Sequence, residues 1–150
     1  MSELGRIPVI KLYDNLIVSI QIALSDRLVV RLKDDITERI CQTEAKGLVV
    51  DVSGIDVLDS YISRALCDIG QMANLMGVTT VICGLDPMIA MTLVEMGLDL
   101  HGVHTAAELE SAIELLAQLE RKKRQARVRR LQGKGRTRHW TKAASRLSKS

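Results

Sequence analysis

Apolar residues change their spacing several times along the chain, and each change marks an element. Ile7 to Leu12 and Leu16 to Gln21 are short runs rich in β-branched residues. The turn formers Asp14 and Asn15 part them, so a hairpin is predicted. After Ser25, the residues Leu28, Val29, Leu32, Ile36, Ile40 and Cys41 fall on one side of a 3.6-residue repeat. That pattern predicts a long amphipathic helix, with Gly47 where a stop is expected. "LVVDV" is a strand broken by one acid and followed by the turn pair Ser53-Gly54, and "VTTVICG" is a second strand of the same buried type. Between them Ile62, Leu66, Ile69, Met72, Ala73 and Met76 keep helical spacing up to Gly77. "PMIAMTLVEMG" predicts a helix from Pro87 to Gly97, "GVHTA" a short strand, and "AAELESAIELLAQLE" a last helix.

Strand, strand, helix, strand, helix, strand, helix, strand, helix is an α/β order. It predicts a mainly parallel sheet of four to five strands with about four helices packed against it. With right-handed crossovers, the loops after "VDVSG" and "VICGL" share the carboxyl edge of the sheet, where open α/β folds carry their function. Ser53, Gly54, Asp59 and Ser60 are expected near that edge.

Charge divides the chain more sharply than hydropathy does. Residues 1–120 hold 8 Lys/Arg and all 18 Asp/Glu, a net of −10, whereas residues 121–150 hold 13 Lys/Arg and no acid. The first part is expected to be one acidic domain and the second a basic, mobile tail, since it has little apolar surface to offset the entropy of ordering. Another reading has "LERKKRQARVRRL" continue the last helix until Gly133 stops it. The tail also raises nucleic-acid or ribosome association as an alternative function, because many Lys/Arg can meet many phosphates. Against that stand a lone aromatic, Trp140, for base stacking and the absence of a known reading motif. Docking on an acidic partner is the competing use.

No apolar run is long enough for a membrane span, and "MSELGRIPVIKL" lacks the pattern of a signal peptide, so a cytoplasmic protein without a membrane segment is expected. Cys41, Cys67 and Cys83 show no CxxC spacing and lie in apolar patterns, which predicts reduced core thiols and no metal site. Met72, Met76, Met88, Met91 and Met96 at helical spacing read mostly as core filler, with any exposed ones as contacts for neighbouring domains.

Enzyme motifs fail one by one. Gly133-Lys134 is followed by Gly135 and has no strand before it, so it is no phosphate loop, and neither GxGxxG nor GxSxG occurs. His101 and His104 read as loop-end histidines. No enzyme and no cofactor is expected. The remaining local signal is Ser60, in "VLDSYISRAL", which has two readings. It can be the N-cap of the helix it precedes. It can also be a phosphorylation site, where a helix N-terminus tolerates phosphate while Asp59 beside it repels one.

The run "LVVDVSGIDVLDSYISRAL" followed by "GVTTVICGLDP" resembles the STAS domain family of anti-sigma-factor antagonists. The likeness covers roughly residues 5–119. Within the family it is to the small, single-domain antagonists of the bacterial stressosome. The resemblance implies a phosphorylatable serine at Ser60 and a kinase-binding surface formed by Asp51, Ser53, Gly54, Asp56, Asp59 and Ser60. It implies capture of an RsbT-like switch kinase, its release on phosphorylation, and resetting by an RsbX-like phosphatase. It further implies a homo-oligomer or a large hetero-assembly with RsbR-like STAS co-scaffold proteins. The loop after "VICG" reads Leu85-Asp86-Pro87 and has no hydroxyl, so a single phosphosite is implied. The basic tail has no counterpart in the resemblance.

Overall fold

The computed structural model describes the backbone over residues 6–97 and 102–147 and the side chains over 6–97 and 102–134. Strands β1 (Val9–Leu12) and β2 (Asn15–Ser19) form an antiparallel hairpin, with Tyr13 in the left-handed region at its turn. Helix α1 (Asp26–Thr43) then leads to β3 (Gly47–Asp51), α2 (Ser60–Leu75) to β4 (Thr79–Cys83), and α3 (Pro87–Glu95) to β5 (His104–Ala106). The five strands lie in the sheet in chain order, and every pair after the hairpin is parallel. The sheet is therefore mixed, with its one antiparallel strand at the edge.

Strand register sorts the side chains onto two faces. Leu16, Leu48 and Thr80 align across one face, as do Val18, Val50 and Ile82, while Ile17, Val49 and Val81 align across the other. The first face is covered by Val29, Leu32, Ile36 and Ile40 of α1 and by Ala65, Leu66, Ile69 and Ala73 of α2. On the second face Val49, Val81 and Cys83 pack with Ala112 and Leu116, from the start of α4 (Leu109–Leu147). Cover on both sides is why Leu48–Val50 of β3 and Val81–Cys83 of β4 are apolar at consecutive positions and do not alternate. Each fully buried Leu, Ile or Val here stabilises the fold by about 1.5–3 kcal/mol.

Close approach on the second face explains Gly47. A Cβ there would meet the side-chain oxygen of Asn15 and lie 2.8 Å from a methyl of Leu116. The glycine thus opens β3, and it is not the helix stop expected from the sequence. That stop is at Thr43, where Glu44 turns into the left-handed conformation. Gly77 and Gly97, both at positive φ, do follow the ends of α2 and α3.

Other expectations are corrected by packing. Cys83 is buried and Cys67 half-buried, but Cys41 is exposed, because α1 turns only the Ile36–Ile40 side of its last turns to the sheet. Met72 and Met76 pack against the core, whereas Met88, Met91 and Met96 are exposed. Helix α3 is short and sinks only Leu93 fully, with Ile89 packed against the core in part, so Met88, Met91 and Val94 stay outside.

By chain contacts, residues 1–116 form one compact unit and residues 117–150 a second. In the second unit the chain stays helical to Leu147 and is not interrupted at Gly133. Arg, Lys, Gln, Leu and Ala propagate a helix well, and a glycine costs only about 1 kcal/mol each. All side chains from Arg121 to Lys134 are exposed.

Candidate phosphorylation switch at the sheet edge

Parallel strands joined by helices place the starts of α1, α2 and α3 at the carboxyl edge of the sheet. Each start is capped by its own polar side chain. Ser25 accepts from the Leu28 amide at 3.3 Å, Asp59 from Ile62 at 2.8 Å and Asp86 from Met88 at 2.8 Å. Asp59 therefore caps α2, and Ser60 is the first residue of the helix. This corrects the reading of Ser60 as the cap. The Asp59 carbonyl also accepts from the Ser63 amide at 3.0 Å and from the Ser63 hydroxyl at 2.8 Å, so the capping residue is held on three bonds. Ser60 is exposed, with its hydroxyl outside this network.

The β3–α2 loop is held from below. Asp51 ends β3 half-buried, and its carboxylate accepts from the Ser53 amide at 3.0 Å, an Asx turn. Val52 donates to the Cys83 carbonyl at 2.9 Å, and Ile55 donates to the Val52 carbonyl at 3.0 Å. Leu58 is buried and fixes the chain just ahead of Asp59. Gly54 lies where a Cβ would come within 3.0 Å of the Gln21 backbone, and Gly84 lies where one would come within 2.8 Å of Asp51 and of the Ser53 amide. The loop after β4 thus backs directly onto the loop after β3.

On this support Ser53, Gly54, Asp56, Asp59 and Ser60 are all exposed, and Asp51 is half-buried beneath them. One loop and the first turn of α2 bring the six together. The apolar tip residue Val57 is exposed among the acids.

Sequence reasoning missed Tyr61. Its hydroxyl interacts with the side chain of Asp26 in the first turn of α1, 35 residues earlier. That interaction is the main cause of a raised Tyr61 pKa, followed by desolvation and by the charges of Asp26 and Asp59. A period-based pattern carries no signal for such a pair. Cys83, at the end of β4, has its thiol pushed up to about 11 by burial first and by the Asp51 charge second, so it is a neutral core thiol at physiological pH. His104 is exposed on β5, and His101 lies outside the described residues. Among the described residues, no group of three or more His, Cys, Asp or Glu could hold a metal ion, and no helix is long and apolar enough to cross a membrane.

The family model described as "STAS domain" matches residues 6–112. The chain belongs to the STAS domain family. This STAS chain is similar to an RsbS from Moorella thermoacetica carrying a serine-to-glutamate substitution, with 37% identity and a TM-score of 0.68 over 77% of this chain and 97% of that one. It is also similar to a chain in a structure of the molecular architecture of the stressosome, with 38% identity, a TM-score of 0.68, and coverage of 76% and 99%. The RsbT co-antagonist protein RsbRA of Bacillus subtilis is 23% identical over 82% of this chain and 45% of its own length. The STAS chain thus spans under half of that co-antagonist.

Proposed function

We propose that this STAS protein is a non-catalytic scaffold and switch of a bacterial stressosome in the cytoplasm. Unphosphorylated, it holds an RsbT-like serine kinase at the β3–α2 surface. Phosphorylation of Ser60 releases the kinase to activate a downstream enzyme, and an RsbX-like phosphatase restores capture. RsbR-like STAS proteins share the assembly.

The observation that carries this reading is the near-complete coverage of an RsbS chain at 37% identity, joined to an exposed Ser60 freed from capping by Asp59. Phosphate on that hydroxyl adds roughly −1.5 to −2 charges beside the Asp59 carboxylate and close in the chain to Tyr61. Contacts made by the neutral surface are then lost and like charges are added. Each ~1.4 kcal/mol lost weakens binding about tenfold.

Kinase pull-down with ATP present tests it. Ser60→Ala should capture the kinase and fail to release it. Ser60→Asp supplies less charge than phosphate and should weaken capture about tenfold. Equal retention by wild type and both variants would refute the switch.

A further inference from the structure

The basic helix takes no part in the proposed switch and has a geometry of its own. Residues 121–147 of α4 carry 12 Lys/Arg and no Asp or Glu. At about 1.5 Å per residue that is a rod of about 40 Å with one positive charge per roughly 3.4 Å. The spacing equals that of phosphates along one strand of duplex DNA, about 3.4 Å.

The charges are not confined to one side. At about 100° per residue, Arg121, Arg129, Arg130, Arg127 and Arg124 point in five directions round the axis, and all five are exposed. Val128 and Leu131 are exposed too, but Arg124 projects between them, so there is no apolar stripe. A helix lying in a membrane interface needs such a stripe. A flat acidic protein surface would meet one side and leave the remaining cations unmatched. A groove with phosphates on both walls meets several sides at once.

We infer that the α4 extension binds double-stranded DNA in the major groove, through phosphates and without sequence preference. A helix with its side chains is about 10–12 Å across, and the major groove of B-form DNA is about 12 Å wide. The major groove of A-form RNA is too deep and narrow to admit it. Lys and Arg dominate the rod, with Gln125 and Gln132 the sole amide side chains after Glu120. Their scarcity favours backbone contact over base reading. Residues 1–120 carry a net charge of −10, so duplex binding must come from this helix. None of its residues belongs to the Ser60 surface, and it is independent of the stressosome reading.

Fluorescence anisotropy of the full chain with a labelled mixed-sequence DNA duplex of about 20 base pairs tests it. With about six phosphates engaged, log affinity should fall against log salt with a slope of about −5, a loss of about a thousandfold between about 50 and 200 mM KCl. A second sequence should bind within about threefold. Substituting Arg127→Gln, Arg129→Gln and Arg130→Gln together keeps good helix formers and should flatten the slope to about −3, with the thermal midpoint unchanged. A slope shallower than about −2, or a triple variant that binds like wild type, would overturn the inference. Equal or tighter binding of an RNA duplex or of polyglutamate would overturn the assignment to DNA.

Discussion

The Asp59 carboxylate accepts the Ile62 amide hydrogen at 2.8 Å, so the residue that caps α2 is the neighbour of Ser60 and not Ser60 itself. Capping and modification are thereby divided between two adjacent side chains. A phosphate can come and go on Ser60 while the first turn keeps its cap.

Stability separates these roles. Asp59→Ala should cost about 1 kcal/mol, the usual price of a lost N-cap. Ser60→Ala, at an exposed position outside the cap, should stay within about 0.5 kcal/mol. Urea unfolding of the two variants measures both. A larger loss for Ser60→Ala than for Asp59→Ala would return the cap to the serine.

Gly84 and Gly77 form a second natural comparison. They share nearly the same backbone, with φ of 81° and 80°. A Cβ at Gly77 meets nothing within 4 Å, whereas one at Gly84 lies 2.8 Å from Asp51 and the Ser53 amide. Gly77→Ala should therefore cost only the left-handed strain, about 1–2 kcal/mol. Gly84→Ala should cost more and disturb the loop that carries the candidate site. Equal losses for the two variants would mean that the β3 and β4 loops are not in contact.

How far the fold was legible follows from which residues carry periodic information. The unbroken run Leu48–Val50 and the spacing of Ile36 and Ile40 report burial directly, and they place strands and helices in order. Met88 and Met91 do not, because their exposure depends on how shallowly α3 sits on the sheet, which is a tertiary outcome. Cys41 follows the same logic one residue beyond Ile40. The cap shifted by one residue because Asp and Ser are equally good N-caps, and pattern cannot choose between neighbours. The Tyr61–Asp26 interaction is between two helix starts that only the sheet order brings together.

Thiol chemistry should follow burial. At pH 7–8 a disulfide reagent should modify exposed Cys41 first and half-buried Cys67 more slowly, leaving Cys83 intact until the protein unfolds. The Cys83 thiol is raised to about 11 in the fold against an ordinary 9.0. The folded state thus holds this proton more tightly than the unfolded chain does, and the contribution is fully present below pH 9 and lost as pH rises towards 11. A Cys83→Val variant should lose that part of the alkaline slope in stability. Ready labelling of native Cys83 at neutral pH would contradict the burial.

Removing residues 121–150 should leave the remaining domain folded, since residues 1–116 already form a compact unit containing all five strands. The thermal midpoint and Ser60 phosphorylation should be retained, while salt-dependent association changes. A 1–120 fragment that unfolds or no longer captures the kinase would make the basic helix part of the switch.

Incubating the full chain with an RsbT-like kinase and ATP and mapping the phosphate by mass spectrometry tests the switch at Ser60. One phosphate per chain is expected, on Ser60, and none in Ser60→Ala. Phosphate mainly on Ser53, Ser63 or Thr79, or normal incorporation in Ser60→Ala, would contradict it.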